Sequence, residues 1–100
     1  MIPQNKLSLL STFDVAARHL SFKLAADELF LTPSAISHRI QQLEKLLGFQ
    51  LFMRMTRKLA LTEDGTRLLL TLTKSLRRID DEIEDIRYND LRGTLTLGIA

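Results

Sequence analysis

From Thr66 to Arg92 the chain runs without a proline or a glycine, and Leu69, Leu72, Leu76, Ile79, Ile83 and Ile86 recur along it at alternating spacings of three and four. That is the seam of a coiled coil. Thr62-Glu63-Asp64 opens the segment with a capping hydroxyl and two acids at the positive end of the helix dipole. A helix of about 28 residues is about 42 Å long, too long for the residues before it to cover the whole stripe. The simplest partner is the same helix of a second copy, which makes residues 63–92 a dimerising linker helix and those six aliphatic residues its interface. The alternative is a helix packed back on its own chain. The acidic run Asp80-Asp81-Glu82 with Glu84 and Asp85 flanks the seam and reads as solvated.

The residues ahead of this helix are punctuated into shorter ones. Leu7, Leu10, Phe13 and Ala17 line one face of a first amphipathic helix, from Lys6 to about Leu20. Ser21 is an N-cap for a second, from Phe22 to about Phe30, with Phe22, Ala25, Ala26 and Leu29 inward. Leu31-Thr32-Pro33 restarts the chain, with Thr32 as cap and Pro33 at the first helical position, where its missing N–H costs nothing. Ile36, Ile40, Leu43 and Leu47 then mark a third helix that Gly48 ends. A short helix, a tight turn and a longer helix form the helix-turn-helix unit that reads DNA.

Residues 49–62 change period. Leu51, Met53 and Met55 alternate with Phe52 and Arg54, and Leu59 and Leu61 flank Ala60, which predicts a β-hairpin with a basic tip at Thr56, Arg57 and Lys58. The tip has no Gly or Asn-Gly. The fold class expected is therefore mainly α, a winged helix-turn-helix with a small β-hairpin wing over residues 1–62, followed by the long dimerising linker helix. After Gly93 the string TLTLGIA alternates like a strand. Residues 93–100 are read as the first strand of a truncated further domain, which the family resemblance given below makes an effector-binding domain.

The charge is unevenly placed. Residues 1–61 carry eight Lys and Arg against four acids, whereas residues 62–100 carry six against eight. A basic front points to a polyanionic partner for the first part. The third helix sharpens this. With Ile36, Ile40, Leu43 and Leu47 turned inward, the opposite face carries Ser34, His38, Gln41 and Lys45, with Ser37 and Gln42 on its flanks and Glu44 set to one side. Hydroxyls and amides suit base edges, and a cation suits guanine or phosphate. Arg57 is placed for a minor groove, and Arg54 and Lys58 for phosphates; the alternative is a charged edge strand that discourages aggregation. Ser21, Lys23 and Thr32 lie near helix starts, where phosphates bind, although capping alone accounts for the two hydroxyls.

Other function classes find no support. His19 falls at the end of the first helix, and neither it nor His38 has a carboxylate at ligand spacing, so no metal site is expected. No nucleophile–base set and no phosphate-cradling glycine loop suggests an enzyme or a bound cofactor. The chain has no cysteine, and no run approaches the ~20 apolar residues of a membrane span. The N-terminus lacks the basic and apolar regions of a signal peptide, so a cytoplasmic location away from membranes is expected.

These strings resemble the N-terminal domain of LysR-type transcriptional regulators over residues 5–100. The resemblance is carried by SF-x-x-AA-x-x-L in the first half, by S-A-I-S-x-x-I-x-x-LE-x-x-LG-x-x-LF in the core, and by LT-x-x-G leading into the long helix. SFKLAADEL, PSAISHRIQQLE and GTLTL are most similar to members that activate D-serine deaminase, and more loosely to glycine-cleavage activators. The resemblance implies a homodimer paired through antiparallel linker helices, bound to double-stranded DNA at a pseudo-palindromic operator. It further implies a C-terminal domain that binds a small-molecule effector, full-length proteins that are often tetramers, and RNA polymerase as a further partner. The family's base-contacting positions fall on Pro33, Ser34, Ser37, His38 and Gln41, and its wing arginine on Arg57. Arg39 and Lys45 join Ser21, Lys23, Thr32, Arg54 and Lys58 as backbone contacts. Where many members carry Arg or Gln, this chain has His38-Arg39, and its wing tip lacks the common Gly or Pro. The rival from another class is a winged-helix adaptor that binds proteins through the coiled coil. It would present an apolar or acidic recognition face.

Overall fold

The computed structural model describes residues 4–97, with side chains from Lys6 to Asn89. Its elements are α1 (Gln4–His19), α2 (Phe22–Leu29), α3 (Pro33–Leu47), β1 (Phe52–Met55), β2 (Lys58–Leu61) and α4 (Glu63–Leu97). The chain divides into two compact units, one ending at Leu70 and the other beginning at Thr71.

In the first unit, α1, α2 and α3 pack on one another around a core of Leu9, Phe13, Val15, Ala16, Ala17, Ala25, Ala26, Ile36, Ile40 and Leu43. The alanines let the helices approach closely, and Phe13 fills the space between. The buried face of α1 is rotated from the one its spacing suggests. Leu7 is exposed and Leu10 half-buried, while Leu9 and Thr12 lie inside. Phe13 and Ala17 of the expected face are buried, and the buried face widens to take in Val15 and Ala16, where α2 and α3 both pack on α1. Thr12 is a buried polar residue with its needs met. Its hydroxyl donates to the Ser8 carbonyl at 3.3 Å and accepts from Arg39 Nη1 at 3.4 Å.

Capping sets the helix boundaries. Ser21 Oγ accepts the Leu24 N–H at 3.1 Å, and Thr32 Oγ1 accepts the Ala35 N–H at 3.1 Å, each satisfying an orphan donor of a first turn. Helix α3 ends at Gly48, which adopts the left-handed region at φ 85°. Helix α2 ends in the same region on a non-glycine, Phe30 at φ 57°, whose N–H and that of Leu31 both reach the Ala26 carbonyl. A bulky residue there costs about 1–3 kcal/mol of backbone strain. The turn between α2 and α3 is thus held by its caps against local preference.

The wing forms as an antiparallel pair with Phe52 opposite Leu61, Met53 opposite Ala60, Arg54 opposite Leu59 and Met55 opposite Lys58. This register makes Thr56 and Arg57 a two-residue loop and puts Lys58 in the strand rather than at the tip. Neither loop residue has a positive φ, so the loop is not of the primed type that suits strand twist. Tertiary contacts anchor the hairpin instead. Leu51 and Phe52 are buried, and the Phe52 ring meets Phe13 and Phe22 edge-on at centroid distances of 5.6 and 5.5 Å.

The start of α4 is fixed to the same unit. Thr62 donates its N–H to the Leu51 carbonyl at 2.9 Å and its hydroxyl to the Gln50 carbonyl at 2.7 Å, while Thr62 Oγ1 accepts the Gly65 N–H at 2.9 Å. A Cβ on Gly65 would lie 2.2 Å from the Leu51 carbonyl oxygen. Glycine is required here by backbone approach. Farther along, Leu69 and Leu72 are half-buried, and Leu76, Ile79, Ile83 and Ile86 are exposed.

Helix α4 continues through Gly93 to Leu97, where glycine and the alternation of TLTL pointed to a helix end and a strand. A strand needs a ladder partner for its N–H and C=O groups, and β1 and β2 pair only with each other among the described residues. Continuing the helix satisfies those groups locally and costs about 1 kcal/mol at the glycine. Residues 98–100 of that predicted strand lie outside the described residues.

Candidate nucleic-acid interface

Helix α3 is positioned by its inner side. Ile36, Ile40 and Leu43 are at most 1 % exposed. A helix turns about 100° per residue, so burial of that stripe aims Ser34, His38, Gln41 and Lys45 at solvent, and all four are exposed, as is Pro33. These residues share one polar face that begins at the N-terminal turn of α3. Ser37, half-buried, lies on the flank toward the wing. The structure thus brings together the residues singled out for base contacts.

The basic residues separate into two groups. Lys23, Lys45, Arg57 and Lys58 are exposed and have no ion-pair partner among the described residues. Arg39 and Arg54 are engaged. Arg39 lies on the α1 side of α3 and donates to Thr12, so it is set apart from the Ser34–Lys45 face. Arg54 Nη2 donates to Ser37 Oγ at 2.8 Å, and its guanidinium carbon sits 5.3 Å from the Phe22 ring centroid. Arg54 therefore joins the wing to α2 and α3. The Ser21 and Thr32 oxygens act as helix caps, as their positions alone suggested.

Glu44 is a residue whose role the spacing did not reveal. Its Oε2 accepts the N–H groups of Leu51 and Phe52 at 2.7 and 3.3 Å. One carboxylate thereby attaches the beginning of the wing to the recognition helix. The sequence signal was its isolation as the sole acid on α3, on the same flank as Ser37. Gln41, Glu44, Gln50, Phe52, Met53 and Arg54 line a groove between α3 and the hairpin.

Away from this face, α1 and α2 are joined at the surface. Arg18 bridges Asp14 and Glu28, each at 3.3 Å, and His19 Nε2 lies 2.8 Å from Glu28 Oε1. The hydrogen bond from His19, seconded by Arg18, holds the Glu28 carboxyl below its ordinary value against the opposing effect of desolvation. Desolvation also acts against the Arg18 charge, but Asp14 and Glu28 together outweigh it and raise its pKa. No group of His, Asp or Glu among the described residues is arranged to hold a metal ion. No helix among the described residues is long and apolar enough to cross a membrane.

Comparison with known proteins gives the same reading of the fold. The family model of the bacterial regulatory helix-turn-helix proteins, lysR family, matches residues 7–66. The HTH-type transcriptional regulator DsdC of Escherichia coli K12 is 56 % identical over 92 residues, 92 % of this chain and 30 % of that protein. The glycine cleavage system transcriptional activator of the same strain is 41 % identical over 93 residues, 93 % of this chain and 30 % of its own length. The chain thus spans less than a third of these relatives. Among solved structures, the BenM_DBD complex with benA site 1 DNA superposes with a TM-score of 0.73 at 31 % identity, covering 81 % of this chain and 91 % of that one. Vibrio fischeri DarR in complex with DNA superposes with a TM-score of 0.68 at 30 % identity, covering 86 % of this chain and 29 % of that one. On the match over residues 7–66 and the winged helix-turn-helix that those residues form, the chain belongs to the LysR family of bacterial transcriptional regulators.

Proposed function

We propose that this chain reads double-stranded DNA in a sequence-specific manner, as a homodimer on a pseudo-palindromic operator. The observation that carries the reading is the division of α3, with Ile36, Ile40 and Leu43 buried and Pro33, Ser34, His38, Gln41 and Lys45 exposed on the other side. A recognition helix needs that division, because its core face fixes the angle at which its polar face meets the major groove. The exposed cations Lys23, Lys45, Arg57 and Lys58 supply phosphate and wing contacts. The DNA complexes of two structural neighbours support the same reading. Dimerisation runs through Leu69, Leu72, Leu76, Ile79, Ile83 and Ile86, which places one α3 in each half-site, with centres about one helical turn or a multiple apart. In the full-length regulator a C-terminal domain binds a small-molecule effector, and contacts beyond this chain build a tetramer and meet RNA polymerase.

The test is a selection of bound duplexes from random or genomic DNA, followed by titration of the winning site at two salt concentrations. Phosphate contacts release counterions, so each steepens the fall of log affinity with log salt by about 0.9. A steep fall between 50 and 200 mM salt, with a selected site of two related half-sites, is expected. An affinity flat in salt, or no enriched sequence, overturns the reading in favour of a protein-binding adaptor.

A further inference from the structure

Sequence alone places Arg54 among the phosphate contacts, where it would add affinity without adding preference. The geometry gives it another task. Arg54 Nη2 is 2.8 Å from Ser37 Oγ, on the flank of the recognition face. Its guanidinium lies over Phe22, which in turn meets Phe52 of the same strand edge-on at 5.5 Å. The strand itself is fixed by the Glu44 carboxylate on the Leu51 and Phe52 amides. Arg54 is therefore located from α2, α3 and the wing together, and Ser37 is its hydrogen-bond acceptor.

This has a direct chemical consequence for Ser37. A serine hydroxyl holds one O–H and two lone pairs, and a guanidinium can only donate. Arg54 thus occupies a lone pair of Oγ and leaves the O–H for another partner. Its positive charge also repels a second donor approaching the same oxygen. Serine by itself pairs with either kind of base edge. Beside Arg54 it is biased to one kind. We propose that Arg54 is a positioning residue for specificity, which fixes Ser37 as a donor so that this position reads a major-groove acceptor and rejects cytosine. The acceptors are guanine O6 or N7, adenine N7 and thymine O4, whereas cytosine offers only its N4 amino donor. The inference rests on α3 being a reading helix.

The experiment uses the whole chain and a selected duplex. Ser37→Ala, measured against all four bases at each position of a half-site, first identifies the pair whose preference Ser37 sets. Arg54→Gln and Arg54→Lys are then measured at that pair. Gln can accept as well as donate, so it releases the constraint on the hydroxyl, while Lys keeps a charged donor. Arg54 is exposed, and Arg54→Met, which keeps cover over Phe22, serves as a second variant without the donor. The wild type should favour an acceptor over cytosine by about five-fold, the size expected of one hydrogen bond. Arg54→Gln and Arg54→Met should flatten that preference and leave those set by His38 and Gln41 in place, and Arg54→Lys should retain most of it. Replacing a preferred purine by its 7-deaza analogue should abolish the advantage where N7 is the acceptor. A uniform loss across all sequences in Arg54→Gln, with the Ser37 preference intact, makes Arg54 a phosphate anchor and overturns the proposal. A cytosine at the preferred position, or no pair that responds to Ser37→Ala, overturns it as well. Failure of the wild type to select any duplex is a separate result, which removes the DNA-reading function itself.

Discussion

Helices α3 and α4 carry the same kind of apolar stripe and bring it to opposite ends. In α3, Ile36, Ile40 and Leu43 are at most 1 % exposed, whereas in α4 Leu76, Ile79, Ile83 and Ile86 stand 41 to 54 % exposed. Period and residue type do not separate the two. The difference is what the chain supplies opposite them. Helices α1 and α2 cover α3, so its stripe is a folding element. The later turns of α4 leave their stripe exposed, and that exposure is what the proposed dimer would cover. A repeat of apolar residues thus specifies a helix with one apolar face, and the rest of the chain decides whether that face is buried within it.

The sharpest way to break this comparison is to damage each stripe in turn. Ile40→Ala should lower folding stability by about 2–5 kcal/mol, read as a fall in thermal midpoint of the first unit. Placing Asp at both Leu76 and Ile79 should leave the circular dichroism and melting of the first unit intact and convert dimers to monomers, because unpaired charge is costly in a buried seam. Sedimentation equilibrium reads the second effect. An unchanged dimer moves the interface away from α4.

A smaller effect locates where one regime gives way to the other. Gly65 sits against the Leu51 carbonyl, so the first turn of α4 belongs to the folding unit rather than to the seam. Alanine in a helix normally stabilises relative to glycine. Here the added Cβ meets backbone that cannot yield cheaply, and Gly65→Ala should cost about 1–3 kcal/mol. Thermal denaturation should register this loss, while the dimer dissociation constant measured well below the melt should stay as it is.

The smallest effect concerns the surface joint between α1 and α2. The His19 hydrogen bond and the Arg18 contact lower the Glu28 pKa in the folded state below its ordinary 4.5. A depressed carboxylate contributes stability above that ordinary value and loses it as pH falls through the lower folded value. Glu28→Gln should therefore remove a small part of the acid-side decline in stability and change little at neutral pH. Exposed ion pairs contribute modestly, and a large loss at pH 7 would mean that the joint, rather than the core, holds α1 to α2.

Much of this architecture was legible because its signals are local. Thr32, Pro33 and Gly48 bound α3 at Pro33–Leu47, and Thr62 with two acids announced α4. The exposed polar face of α3 follows from the buried one by helical geometry alone. What escaped was non-local. Arg39 reaches Thr12 and Arg54 reaches Ser37 across many residues of sequence, and no spacing rule links such partners. Glu44 is legible only as an acid set to one side of α3, and no spacing links it to the wing amides that it accepts from. On α1 the spacing finds Phe13 and Ala17 but also points to Leu7, which is exposed, and passes over Leu9 and Ala16, which are buried. Gly93 reads as a stop because glycine often ends helices, yet its cost is modest where the described residues offer no strand to pair with.

The central claim is that α3 reads bases while separate cations hold the backbone. It is tested most directly by measuring His38→Ala and Lys23→Ala against single-base substitutions of the selected site. His38→Ala should cost about 1–3 kcal/mol on the preferred site and relax preference at one defined base pair. Lys23→Ala should weaken every sequence alike and lower the salt slope by about one. If both variants produce the same pattern across the panel, the division between reading and anchoring residues is wrong.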